Sequence, residues 1–138
     1  AAVGPYSQAI AANGFVFTSG QVPIDPKAGK IVATTIEEQT EQVMKNLQCV
    51  LAQGGVSFDR VVKTTCFLSD INDFAAFNGV YAKYFPEGAP ARVCAACEVC
   101  VYLPCRTRRI LQLYYPGRYW VNPCYKKGLP AGSPFFIQ

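Results

Sequence analysis

Arg92 closes the run Ala89-Pro90-Ala91-Arg92 and is the residue of this 138-residue chain best suited to chemistry on a small anion. Its guanidinium stays charged and forks two parallel N–H donors toward a carboxylate, a natural anchor for a small 2-oxo or 2-imino acid. Upstream, Gly4-Pro5-Tyr6-Ser7-Gln8 and Thr18-Ser19-Gly20-Gln21 complete an ordered set of polar words. Taken singly, each has a plainer reading: Arg92 as a surface ion-pair partner, Tyr6 as packing beside Pro5, Ser19-Gly20 as an ordinary strand end. Histidine is absent, so Ser/His/Asp and Cys/His nucleophilic machinery is excluded.

Arg92 also marks a change of composition. Residues 1–92 carry seven Lys/Arg and eight Asp/Glu, a net −1, whereas residues 93–138 carry six Lys/Arg and one acid, a net +5. Five of the seven cysteines also lie after Arg92. An odd cysteine count without a secretory signal leads us to expect mostly reduced thiols. At 51% apolar residues the chain supports one domain with a real core. No run nears the eighteen or so apolar residues of a membrane span, so the expectation is a cytoplasmic protein with no membrane partner. The chain begins at Ala1 rather than Met, which leaves room for a removed targeting segment and a mitochondrial location.

The elements that must position these groups follow from local chemistry. Ser7 to Ala12 and Phe15 to Ser19 flank Asn13-Gly14, a tight hairpin turn, and Gly20 to Gly29 reads as a loop. Thr35 with Glu38 predicts a capping box, and Ile36, Val43, Met44, Leu47, Val50 and Leu51 then make one helical stripe up to Gly54-Gly55. Val61 to Leu68 has strand character. Asp70 and Asp73 can cap a second helix with Phe74, Phe77, Val80, Tyr81 and Tyr84 on its buried stripe, ended by Pro86 and Gly88. Further strands are expected at Arg92 to Leu103 and Arg109 to Tyr115. Pro116, Pro123, Pro130 and Pro134 predict an irregular tail over 116–138. The sum is an α+β domain over residues 1–115, with helices covering one face of a sheet.

These words, in this order, resemble the Rid (YjgF-like) imine deaminase family, also called liver perchloric-acid-soluble proteins. The resemblance is carried by Gly4-Pro5-Tyr6-Ser7-Gln8-Ala9, Thr18-Ser19-Gly20-Gln21, Asp25-Pro26-Lys27-Ala28-Gly29 and the helix from Glu38 to Leu51. It continues through Val61-Val62-Lys63-Thr64-Thr65, Asp70-Ile71-Asn72-Asp73-Phe74, Asn78, Tyr81-Ala82-Lys83-Tyr84-Phe85 and Pro90-Ala91-Arg92. It implies a chorismate-mutase-like mixed sheet with two helices on one face, in a homotrimer with sites between subunits. It also implies hydrolysis of reactive 2-imino acids, such as 2-iminobutanoate and 2-iminopropanoate, to 2-oxo acids and ammonia, with no metal and no organic cofactor. Carried over by position, Arg92 would clamp the substrate carboxylate and Tyr6 would close the pocket. Ser19 and Gly20 would line it, Asn78 would shape it, and the backbone at Cys94 would face the imine nitrogen.

The resemblance fades after Cys94. Ten residues, Val93 to Tyr102, separate Arg92 from Leu103-Pro104, where the family has about seven. The strand Arg109 to Tyr115 offers Gln112 but no water-orienting Glu. The segment 93–115 is therefore divergent, and an inactive relative with the same fold is the alternative reading. Cys94-x2-Cys97-x2-Cys100-x4-Cys105 approximates an iron–sulfur run but misses its spacing and its following Pro, and thiols three apart on a strand alternate faces. Arg106, Arg108, Arg109, Arg118, Lys126 and Lys127, interleaved with aromatics, match an RNA-binding surface in composition alone. Some relatives are described as translation-inhibiting ribonucleases, so an RNA-directed role is the second alternative. The abrupt rise in Cys and loss of acids reads as a frameshifted, alternatively spliced or misassigned ending. Intact-mass measurement of the purified native protein should then disagree with the written chain if the ending is frameshifted or misassigned; a mass agreeing with the written chain would refute those readings.

Overall fold

The structure, a computed structural model, describes residues 4–96 and, as backbone strands, 110–116 and 135–137. The expected hairpin is present: β1 (Ala9–Ala12) pairs antiparallel with β2 (Phe15–Thr18). Asn13 and Gly14 take φ of 49° and 78°, the two positive angles that a type I′ turn demands and that Asn-Gly accepts at least cost. The segment after it departs from the loop expectation. β3 (Ile24–Asp25) and β4 (Lys30–Ile31) form a small antiparallel pair. In its turn, Asp25 Oδ1 accepts from the N–H groups of Lys27 (2.7 Å) and Ala28 (3.1 Å). Strands of two residues have no period to read, which is why the sequence did not announce them.

The first helix, α1, runs Ile36–Gln53 behind the predicted capping box. Thr35 Oγ1 accepts from the Glu38 N–H at 3.2 Å, while Glu38 Oε2 accepts from the N–H groups of Thr34 (3.1 Å) and Thr35 (3.3 Å). Val43, Met44, Leu47 and Leu51 are buried, each worth about 1.5–3 kcal/mol of removed apolar surface. The exposed Lys45–Glu41 pair on the same helix contributes far less, so burial decides where α1 sits. Val50, the remaining stripe position with Ile36, packs instead on a small cluster around Ala9 and Val16.

β5 spans Lys63–Leu68 and buries Thr64, Cys66 and Leu68 on its helix-facing side. It starts later than the sequence suggests because Phe58–Arg60 makes a 3-10 turn, with the Val61 N–H donating to the Phe58 carbonyl. α2 (Phe74–Tyr81) is bracketed by two more such turns, Ile71–Asp73 and Ala82–Tyr84. Asp70 caps as expected, accepting from the Asn72 N–H at 2.8 Å, whereas Asp73 makes no side-chain cap. Phe77, Val80 and Tyr81 are buried. Tyr84 Oη donates to Glu41 Oε1 at 2.8 Å and ties this end of the fold to α1. Burial, then the Glu41 carboxylate, pushes the Tyr84 phenol up to about 12.

The main sheet is mixed, in the order β6-β5-β7-β2-β1-β8, where β6 is Ala91–Ala96, β7 is Ile110–Pro116 and β8 is Phe135–Ile137. Among the described strands only β5 and β6 run parallel. β7 matches its expected span within a residue, and β8 adds a strand inside the tail read as irregular. One core cluster joins α1, α2 and β5, so both helices cover one face of an α+β domain. On the other face Phe15 (39%), Phe17 (37%) and Val93 (48%) are exposed, with the two Phe rings 6.1 Å apart. Among the described residues no helix is long and apolar enough to cross a membrane.

The capping box carries a pH signature. Backbone donors from Thr34 and Thr35 hold the Glu38 carboxyl below its ordinary 4.5. A carboxyl lowered by folding stabilises above its unfolded value, and that contribution fades as pH falls through the folded one. Melting temperatures of wild type and Glu38→Gln should therefore differ most near neutrality and converge below about pH 4. A gap that stays constant down to acid pH would contradict this.

Candidate active site

Arg92 lies on β6 in register with Thr64 of β5, and its side chain reaches over α2. Nη1 donates to Asn78 Oδ1 at 2.7 Å. The guanidinium carbon lies 4.7 Å from the centre of the Tyr81 ring, 5.4 Å from Phe74 and 5.8 Å from Phe77. Phe74, Phe77, Asn78 and Tyr81 sit at helical offsets of 0, 3, 4 and 7, which places all four on one face of α2. Three rings and an amide oxygen thus hold a half-buried cation.

These contacts do not cancel its charge. A ring face contributes about 0.5–2 kcal/mol to a cation, well short of what removing it from water costs. Among the described residues no carboxylate lies within ion-pair reach of Arg92. One of its five N–H donors is committed among the described residues, to Asn78, which leaves donors for an external anion. Beside it opens a cleft of about 470 Å³ lined by Asn78, Tyr81, Ala82, Phe85, Pro90 and Arg92. Mostly apolar walls with one charged group suit a small organic acid.

Among the described strands β6 lies at the sheet edge, and its polarity matters. Ala91 donates its N–H to the Val62 carbonyl at 3.1 Å, toward β5. Successive residues of a strand turn their backbone groups to opposite sides, so those of Arg92 and Cys94 face the open edge. The Cys94 side chain is half-buried, and burial raises its thiol above the usual value against the opposing effect of Arg92. Its register partner Cys66 is deeper, pushed up to about 12 by burial and then by Cys94. Both thiols are therefore poor nucleophiles at neutral pH. Among the described residues Cys49, Cys66 and Cys94 are free thiols; Cys97, Cys100, Cys105 and Cys124, and with them the iron–sulfur spacing, lie outside the described residues.

The other sequence candidates sit elsewhere. Ser19 Oγ donates to the Ser7 carbonyl at 2.6 Å, and the Ser19 N–H donates to the Gln8 carbonyl at 2.8 Å. Those bonds pin Ser19 and Gly20 at the end of β2 beside the approach to β1. Tyr6, on that approach, is 44% exposed. Two strands, β5 and β7, separate β6 from β2, a span of about 14 Å at ordinary strand spacing. One chain therefore brings Arg92, Asn78 and Cys94 together and keeps Tyr6, Ser19 and Gly20 apart from them. Thr64, Phe74, Phe77 and Tyr81 join the Arg92 site unannounced. Their sequence signal was a buried strand residue and a helical stripe, which also describes ordinary core.

Comparison with known proteins places this geometry. Residues 1–101 match the family described as endoribonuclease L-PSP. The RutC family protein PH0854 of Pyrococcus horikoshii is 54% identical over 91 residues, covering 66% of this chain and 72% of the relative. Reactive Intermediate Deaminase A, chloroplastic, of Arabidopsis thaliana is 52% identical over 92 residues, covering 67% of this chain and 49% of the relative. The crystal structure of E. coli TdcF with bound serine superposes with a TM-score of 0.76 at 31% identity, covering 85% of this chain and 91% of that one. Sequence likeness thus spans about two thirds of the chain, and structural likeness reaches further. On this match and this sheet, the chain belongs to the Rid/YjgF family.

Proposed function

We propose that this protein hydrolyses small 2-imino acids, 2-iminobutanoate and 2-iminopropanoate among them, to 2-oxo acids and ammonia. The observation that carries the reading is the half-buried Arg92 guanidinium, ordered by Asn78 and three rings yet lacking a carboxylate partner among the described residues. A relative named as a reactive intermediate deaminase, and another solved with serine bound, support a ligand that pairs a carboxylate with a neighbouring nitrogen.

The chemistry is light enough for such a site. The substrate carboxylate docks on the Arg92 fork, fixing the adjacent C=N group near the open edge of β6. Water adds to the imine carbon, the C=N pair moves to nitrogen, and nitrogen gains a proton. The resulting carbinolamine loses its C–N bond as ammonia departs, and its hydroxyl becomes the new carbonyl. Holding an already electrophilic carbon beside water supplies much of the rate. Backbone groups of Arg92 and Cys94 at the strand edge are suited to stabilise the changing nitrogen. No step requires a metal or an organic cofactor. β7 contains no carboxylate, and Gln112, in register with Thr65, can orient water but cannot accept its proton. In this reading the imine nitrogen, the more basic atom, takes that role.

Tyr6, Ser19 and Gly20 would complete the pocket from a neighbouring subunit of a homotrimer. The distance between the two halves within one chain and the exposed Phe15, Phe17 and Val93 on the uncovered sheet face support that assembly. The RNA-directed alternative rests on the family's description as an endoribonuclease and on the basic last third, whose side chains lie outside the described residues. The deaminase reading stands ahead of it because the Arg92 cluster has a built, ligand-sized cleft.

Supplying 2-iminobutanoate enzymatically and following its loss tests the proposal. Wild type should outpace spontaneous hydrolysis, and Arg92→Ala should lower kcat/KM at least about tenfold. If both proteins only match the uncatalysed rate, the deaminase reading is wrong.

A further inference from the structure

Among the three rings around Arg92, Tyr81 differs from Phe74 and Phe77 in two ways. It is the nearest, at 4.7 Å, and it alone carries a polar handle. Its hydroxyl shares a 2.9 Å hydrogen bond with the Thr64 hydroxyl, in a place where Thr64 is 0% and Tyr81 4% exposed. Thr64 is in turn the register partner of Arg92. Strand, helix and edge strand are thereby closed into a triangle: Thr64 bonds Tyr81, Tyr81 faces Arg92, and Arg92 pairs by backbone register with Thr64.

The geometry has a consequence for the guanidinium. Among the described residues a single bond, from Nη1 to Asn78, fixes one corner of the planar group but leaves it able to turn about that bond. A second constraint on the plane must come from a surface, and the Tyr81 ring is the closest one. The ring can serve only if it does not swing about its own χ1, and the Thr64 bond at its far end prevents that. Tyrosine is neutral at neutral pH, and burial raises the Tyr81 phenol further above its usual value, so the ring offers the cation no competing anion.

We infer that Tyr81, steadied by Thr64, is the positioning residue that sets the orientation of the Arg92 guanidinium and so tunes capture of the substrate carboxylate. This rests on the carboxylate-anchor reading above. The pair acts on binding more than on turnover, because it touches Arg92 rather than the reacting carbon.

Two readouts test it on the full chain, using Tyr81→Leu, Tyr81→Phe, Thr64→Val and the combined Tyr81→Phe/Thr64→Val. The first is NMR of arginine side chains: Arg92 protons should be shifted upfield by the rings in wild type and in Tyr81→Phe, and that shift should shrink in Tyr81→Leu to what Phe74 and Phe77 alone produce. The second is kinetics with 2-iminobutanoate. Tyr81→Leu should raise KM about tenfold with kcat little changed. Tyr81→Phe and Thr64→Val should each raise KM about threefold, with the combined variant no worse than either, because all three remove the same bond. A general loss of stability would instead depress kcat and melting temperature together.

An unshifted Arg92 in wild type, or an unchanged KM in folded Tyr81→Leu, would overturn the inference. Should Tyr81→Leu not fold, Tyr81→Phe and Thr64→Val, which keep the ring, decide by the same measurements. If wild type shows no turnover, the deaminase reading falls while the NMR arm still decides the positioning claim.

Discussion

A cation half-removed from water and given no counter-ion among the described residues is the constraint around which this structure is arranged. Arg92 could relax by swinging into solvent, yet it lies against Tyr81, Phe74 and Phe77 and donates to Asn78. Ring faces and an amide oxygen ease the cost of partial burial without neutralising the charge. What remains is a standing demand for an anion at the mouth of a cleft. A carboxylate is the group whose geometry matches the fork.

The rest of the fold serves that demand. α2 presents four ligating side chains on one face only because Asp70 and the flanking 3-10 turns fix where the helix begins and ends. The Tyr84–Glu41 bond and the shared core with α1 hold the helix over β5 and β6. Among the described strands β6 sits at the sheet edge, which leaves the backbone groups of Arg92 and Cys94 without a described strand partner beyond β5. The same sheet puts two strands between Arg92 and the segment of Ser19 and Gly20, so the anchor and the candidate residues Tyr6, Ser19 and Gly20 occupy different parts of one chain.

Much of this was legible in the residues, and the exceptions have physical causes. Asn13-Gly14 and the Thr35–Glu38 box are local chemistry, where a few atoms decide the conformation, and both came out as read. β3, β4 and β8 are two or three residues long, too short for periodicity to distinguish them from loop, and β8 lay inside a Pro-rich stretch. The resemblance put Arg92 and Asn78 in one pocket but did not pair them; the 2.7 Å bond between them came from the structure. The aromatic cradle could not be read from the residues. Phe74, Phe77 and Tyr81 satisfy a helical stripe whether they face apolar core or a guanidinium, and only the placement of β6 beside α2 distinguishes the two. Thr64 was likewise indistinguishable from any strand residue until its hydroxyl was found against Tyr81.

The most direct test of the account is a crystal structure of the protein with 2-oxobutanoate. The account requires the carboxylate oxygens on two Arg92 nitrogens at about 2.8 Å, with the guanidinium still stacked on Tyr81. It is contradicted if the acid sits away from Arg92, or if a protein carboxylate already occupies the fork.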